Sequence, residues 1–249
     1  MIFLQYIENF CITSFFYPRA QPLNRVANRE QITLLKSSVA RWNLWRENNP
    51  KIEPDLDRVD FNGANLKNAN LRRANLYMAL LNGANLQGAD LTKTFFAGSD
   101  LRGANLSETD CSAVKLNGAD LGGCSFKKAI LRKIDLSKRD LRNIDFSEAD
   151  LRRTDFRKSN LEKVNFFKAD LRKVLFTEAN LSGAYLSSTL LQDTDFQWAN
   201  LKKAVMRYSL NLTPSQIQSV KIDRDTQLPN YLKIHWISET EFHCKKNLG

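Results

Sequence analysis

Arg132, Arg152 and Arg172 recur at intervals of twenty residues, and Lys133, Arg153 and Lys173 follow each of them by one position. Paired cations in a repeated arrangement are residue types that grip phosphates or carboxylates, so the candidate chemistry is binding of a polyanion or an acidic protein. Arg72, Arg73 and Lys93 carry the pattern towards the N-terminus. Residues 127–173 hold 15 basic against 8 acidic residues, so much of the chain's net charge of +10 is concentrated there. The competing reading is a solvated outer face, partly neutralised by Asp135, Asp155 and their neighbours, on which Lys and Arg keep a β-rich structure soluble.

Other chemistries find no constellation. Both histidines, His235 and His243, lie in the tail, so a nucleophile in the chain's body has no base. His235, His243 and Cys244 match no zinc spacing. Aspartates are abundant but recur at one slot of a repeat, as turn residues do, and not as an isolated acid–base pair. The Asn-Gly and Gly-Gly pairs fall at turn positions and form no phosphate loop. Four cysteines suit a reducing compartment: Cys111 and Cys124 occupy inward repeat positions, and Cys11 and Cys244 lie in opposite terminal segments, with no disulfide framework. No cofactor, metal or small-molecule substrate is expected.

The elements that position these residues are read from "DFNGANLKNANLRRANL", residues 60–76, where Phe61, Leu66, Leu71 and Leu76 are spaced by five. A helix turns about 100° per residue, so a period of five leaves no apolar stripe. A flat strand alternates faces, so an odd spacing would split the leucines between two sides. A short extended piece followed by a corner, repeated, satisfies the pattern and makes a solenoid. The register runs unbroken through 31 units from Leu56 to Met206, too long for chance. The residue two before each central one is small in all but four units: Pro54, Ile134, Arg139 and Ile144. The residue just before it is Asp or Asn in 22 units, as a side chain that bonds nearby backbone at a corner would be.

"ANLKNANLRRANL", "GANLQGADL" and "EADLRRTDF" resemble the A(D/N)LXX units of the pentapeptide repeat family, over about 60% of the chain. The resemblance implies an all-β solenoid, a right-handed quadrilateral β-helix with four pentads per coil and hence nearly eight coils, capped by short helices at both ends. On a twenty-residue coil, Phe126, Phe146 and Phe166 form one inner ladder and Phe156, Phe176 and Phe196 a second on the opposite side. These columns are core packing and not a ligand box. Phe167 and Trp198 face outward away from the basic columns, leaving little aromatic interleaving for single-stranded nucleic acid. Some family members mimic duplex DNA, occupy the DNA site of gyrase and confer quinolone resistance; the net positive charge departs from that type and ranks gyrase inhibition last.

Solenoid ends expose strand edges and call for covers. "NREQITLLKSSVARWNLWREN" reads as one helix with Asn28 as its cap and Ile32, Leu35, Val39, Trp42 and Trp45 near one face. Trp42 and Trp45 are expected to pack on the first coil. Thr213-Pro214-Ser215-Gln216 reads as a capping box opening a short helix with Ile217 and Val220. The flanks "WNLWRENNPKIEPDL" and "LTPSQIQSVKIDRDTQLP" are similar to those of cyanobacterial members. Residues 1–17 are apolar, yet Gln5, Glu8 and Asn9 interrupt them and no cationic start or cleavage site accompanies them, so they read as an extension, with a membrane anchor as the minority reading.

The expected organisation is therefore an N-terminal extension (1–27), a helical capping segment (28–55), the repeat solenoid (56–208) and a C-terminal helical cap and tail (209–249). The expected function is a non-enzymatic cytoplasmic scaffold whose partner is another protein, with homodimerisation through an end cap implied by the resemblance. The alternative is binding of nucleic acid or an anionic membrane surface through Arg132, Lys133, Arg152, Arg153, Arg172 and Lys173.

Overall fold

A computed structural model of the chain describes residues 27–247. The expectations for residues 1–17 and Cys11 lie outside the described residues.

Residues twenty apart pair in parallel: Asp55 with Asn75, Asp60 with Leu80, Asn65 with Asn85 and Asn70 with Asp90, and so on along the chain. Four such pairings in each twenty residues give the coil four sides. Each unit closes a turn, as where Ala64 N–H donates to Phe61 O at 3.0 Å. The third residue of every such turn, at each fifth position from Arg58 to Tyr208, has positive φ, the left-handed geometry of a type II turn. Glycine suits it, and at Gly88 it also leaves room for a neighbour: φ is +68° and an added Cβ would lie 2.3 Å from Asn68 Oδ1, so the Asn68 side chain would have to turn away. Elsewhere Lys, Arg, Glu and Asn accept the strained conformation, at about 1 kcal/mol each.

The Asp or Asn before each central residue stabilises the next corner. Asp60 Oδ1 accepts from Asn62 N–H at 3.0 Å, Asp90 from Thr92 at 2.9 Å and Asp145 from Ser147 at 2.9 Å. The same side chains link coils, as Asn165 Nδ2 donates to Asp145 Oδ1 at 2.9 Å and Asn200 Nδ2 to Asn180 Oδ1 at 2.9 Å. Inside, the central and small residues are buried. Buried hydroxyls at small positions are satisfied by backbone, as Thr94 and Thr154 bond Leu71 O and Leu131 O at 2.8 and 2.6 Å.

The phenylalanine ladders stack as the coil period requires. Phe126, Phe146 and Phe166 lie 5.3 and 5.6 Å apart, and Phe156, Phe176 and Phe196 lie 5.4 Å apart. The two ladders meet edge to face, with Phe146 and Phe156 at 5.7 Å, and fill the core of the upper half.

The single N-terminal helix expected from the sequence is two helices, α1 (Arg29–Ser37) and α2 (Val39–Asn48). Ser38 is extended (φ −166°, ψ 122°), ends α1 and caps α2 through Arg41 N–H. Asn28 accepts from Gln31 N–H as a cap should, but Gln31 Oε1 accepts from Asp55 N–H at 2.9 Å and ties α1 to the first coil, so the reciprocal half of a capping box is absent.

α2 stands where a preceding coil would be. Trp42 Nε1 donates to Asn70 O at 2.8 Å, Asn43 Nδ2 donates to Asn68 O at 2.9 Å, and Asn43 Oδ1 accepts from Asn70 N–H at 2.8 Å. Buried Arg46 donates to Ile52 O and Arg72 O at 2.6 and 2.9 Å. Side-chain amides, an indole and a guanidinium thus replace the missing backbone ladder. Trp42 is fully buried and its ring lies 5.1 Å from that of Trp45.

At the other end Thr213 and Gln216 make both bonds of a capping box, but the helix is one 3-10 turn, Pro214–Ile217, and stops before Val220. Lys221 and Gln227 then pair with Asn200 and Val205 as a looser extra layer. The expected C-terminal cap and tail also proves to contain an antiparallel hairpin, β1 (Leu232–Trp236) with β2 (Phe242–Lys246), in which His235 faces His243. Leu232, Ile234 and Trp236 join the core's margin, whereas the tail's short alternation gives a weak strand signal beside polar residues.

Candidate functional site

Twenty residues per coil bring the six candidate cations into two adjacent columns on three successive coils, and the columns differ in chemistry. Arg132, Arg152 and Arg172 each stand two positions after the slot that precedes the central residue, a slot held by Ile130 in the lowest of the three coils and by Asp150 and Asp170 in the upper two. Arg152 donates from Nε and Nη2 to Asp150 at 2.9 and 2.8 Å, and Arg172 likewise to Asp170 at 2.8 and 2.6 Å. Arg132, with no carboxylate of its own corner, reaches up to Asp150 Oδ2 at 2.6 Å, and Arg152 Nε lies 3.5 Å from Asp170 Oδ2. The column is a zipper of alternating charge.

Its neutralising partners are therefore Asp150 and Asp170, not the Asp135 and Asp155 named from sequence. Asp155 instead holds Arg157 at 2.6 Å. A side chain two residues behind an arginine returns to the same corner, a geometry visible only once the turn is built. Burial works to raise the Asp150 pKa, but the Arg152 and Arg132 guanidinium groups outweigh it and hold the carboxyl at about 2. Arg152 and Arg172 are correspondingly held above the usual arginine range by Asp150 and Asp170.

Lys133, Arg153 and Lys173 occupy the left-handed corner, with φ of 60°, 62° and 61°. All three are exposed, and among the described residues none makes an ion pair or a side-chain hydrogen bond. Three uncompensated cations on successive coils are what this face offers an anion. Below them the column does not continue evenly: Ala113 fills the slot between Lys133 and Lys93.

A family model described as pentapeptide repeat region matches residues 89–166 and 109–186, and one described as pentapeptide repeats (8 copies) matches 55–79 and 169–207. The chain belongs to the pentapeptide repeat family. Solved members of it are right-handed quadrilateral β-helices. Similar solved structures include HetL of the cyanobacterium Nostoc sp. strain PCC 7120, involved in heterocyst differentiation regulation, with 24% identity over 68% of this chain and 78% of that one and a TM-score of 0.36. Rfr23 of the cyanobacterium Cyanothece 51142 is 20% identical over 60% of this chain and 90% of its own, with a TM-score of 0.32. QnrB1, a plasmid-mediated fluoroquinolone resistance protein, is 17% identical over 68% and 88%, with a TM-score of 0.28. No curated protein matches the chain significantly.

The two thiols inside the coils of this pentapeptide repeat protein are taken up by its core. Burial pushes the Cys111 and Cys124 thiols up to about 12, which removes the thiolate that nucleophilic chemistry needs. Among the described residues no cluster of His, Cys, Asp and Glu is arranged to hold a metal ion, and no helix is long and apolar enough to cross a membrane.

Trp198, outward by the pentad register, belongs to a larger set of exposed apolar side chains late in the solenoid that the sequence did not single out. Trp198 and Tyr208 are 55% and 74% exposed, and Tyr185 and Leu210 are also exposed. Trp198 and Tyr208 stand at left-handed corners, where most other coils place Gly, a charged residue, Asn or Ser, with Met78 an exposed apolar counterpart in the Trp198 column. The available signal was residue type: a large aromatic at a corner that any polar residue satisfies.

Proposed function

We propose that the chain is a non-enzymatic scaffold that binds another protein through the outside of its β-helix. The exposure of Trp198 and Tyr208, half a coil apart and so on opposite sides, at corners that impose no need for them carries this reading, because a rigid aromatic on either surface is a favoured anchor of a protein interface. Supporting it, the carboxylates that recur along the solenoid are engaged at corners and in arginine pairs, and the described thiols of the core are buried. We propose further that residues 28–55 and 209–249 act as end covers of nearly eight coils, that a cover can also mediate homodimerisation, and that the protein works in the cytoplasm.

A second reading rests on Lys133, Arg153 and Lys173: their lack of partners supports binding of a polyanion, nucleic acid or an anionic membrane, through the unpaired column. Salt separates the two. Polyanion binding falls steeply with ionic strength, whereas contact through aromatic anchors does not. The test measures purified protein against labelled duplex and single-stranded DNA and against anionic vesicles over a salt series, with partner capture from the native cell in parallel. The scaffold reading expects a partner that survives high salt and is lost in W198K/Y208K, with no retention of DNA or vesicles near physiological salt. Salt-sensitive DNA or vesicle binding abolished by K133E/R153E/K173E would replace it with the second reading.

A further inference from the structure

The parallel ladder opens once between successive coils of the solenoid. Pairing is present below, at Asp110 with Ile130, and above, at Ser125 with Asp145, but Lys115 does not bridge Asp135 and Asp120 does not bridge Asp140. The amides of Ala113, Leu116, Gly118, Leu121 and Gly123 find no acceptor on the coil above, and those of Asp135 and Asp140 find none on the coil below. The cause is in the sequence. Ile134, Arg139 and Ile144 are three consecutive large residues at the slot that is small nearly everywhere else, directly above Val114, Ala119 and Cys124. Excess volume in a close-packed slot displaces backbone. Arg139 lodges in the gap and donates to Ala119 O at 3.1 Å, the carbonyl that Asp140 N–H would reach in a closed ladder, and to Leu116 O at 2.5 Å, which also accepts the turn bond from Ala119 N–H. A cleft of about 490 Å³ results, lined by Gly118, Leu121, Ser137 and Arg139 among others.

We infer that this seam is a docking slot for an extended acidic peptide of a partner protein, which adds as a strand between the parted coils. The inference rests on the scaffold reading and names the surface it uses. A peptide backbone supplies what the seam lacks: acceptors for the free amides of the lower coil and donors for the carbonyls of the upper one. The unpaired amides Leu116, Gly118, Leu121 and Gly123 recur along the chain as donors on a sheet edge do. Charge selects the side chains. Lys115, Lys133 and Lys138 are exposed at the lips and unpaired among the described residues; of the three aspartates there, Asp140 is occupied by Arg142 at 2.7 Å, Asp120 lies 3.7 Å from Arg102, and Asp135 accepts from Ser137 N–H at 2.9 Å, so free cations outnumber free carboxylates.

Hydrogen exchange on the full chain tests this, free and with an acetyl-(Val-Glu)-repeat amide of about eight residues as the probe. In the free protein, amides of 113–123 are expected to exchange at least about tenfold faster than those of 96–108. The Val-Glu peptide should slow them at least about tenfold, and the Val-Lys counterpart should not. I134A/R139A returns small residues to both slots beside the missing bridges and is expected to close the seam, slow exchange without peptide and remove the peptide effect, and R139A alone is expected to do so in part. Should these variants misfold, K115E/K138E alters only outward positions and should abolish peptide protection with free-chain exchange unchanged. Equal exchange in 113–123 and 96–108 of the free chain, or no protection by the Val-Glu peptide, or equal protection by both peptides, overturns the inference. A native partner retained equally by wild type and I134A/R139A, with no peptide at the seam, sinks the slot and leaves the scaffold reading standing.

Discussion

Asp150 binds Arg132 of the coil below at 2.6 Å while also holding Arg152 of its own corner at 2.8 Å. Its carboxyl titrates at about 2 against a usual 3.8. A depressed folded-state value means the carboxylate stabilises the fold above the unfolded value and loses this as pH falls through the folded one. D150N should therefore be less stable than wild type near neutral pH by about 1–2 kcal/mol after allowance for solvent screening. The gap should close between about pH 4 and pH 2, followed by denaturant titration at each pH. A gap that is unchanged at the acid end would remove the ion pair as its source.

Charge reversal should act differently on the two basic columns. K133E/R153E/K173E replaces unpaired corner residues by one that Glu108, Glu148 and Glu178 already place at left-handed corners, so the melting midpoint should stay within about 2 °C. R152E sets a third carboxylate between Asp150 and Asp170 and should lower the midpoint. Circular dichroism melts of both variants distinguish the columns; equal effects would mean the zipper contributes nothing.

Phe146 packs against Phe126, Phe156 and Phe166. F146A should cost about 3–5 kcal/mol, and F146D should prevent folding, because a charge would enter a dry column with no partner. A soluble F146D protein with native circular dichroism would contradict the inward placement.

Asn43 replaces two backbone bonds of an absent coil, to Asn68 O and Asn70 N–H. N43A leaves both groups without their partner and should destabilise by about 1–2 kcal/mol, seen in chemical denaturation. Exchange of the Asn70 amide should rise in step; a silent variant would show that water satisfies this edge.

Thiol labelling of the native protein at neutral pH should leave Cys111 and Cys124 unmodified and reach Cys244, which is only partly buried. Denaturant should open the two core thiols to the reagent. Rapid native labelling of Cys124, which borders the seam, would report coils parting further than the structure shows.

The pentad was legible from sequence because its period matches neither helix nor strand, and side chains every fifth position can share one interior only in a solenoid. The phenylalanine ladders followed from the same arithmetic, since stacking depends only on coil length. Three things needed coordinates. The break at Ser38 turns on one residue's backbone angles within a stretch whose composition suits a continuous helix. The pairing of Arg152 with Asp150, and of Arg132 with the same carboxylate, depends on how a left-handed corner folds a side chain back, which spacing alone leaves open. The seam is the clearest division between the two. Ile134, Arg139 and Ile144 stood out in the sequence as misfits, but whether a coil absorbs extra volume by repacking or by parting is decided by close packing in three dimensions, where neighbouring slots compete for the same space.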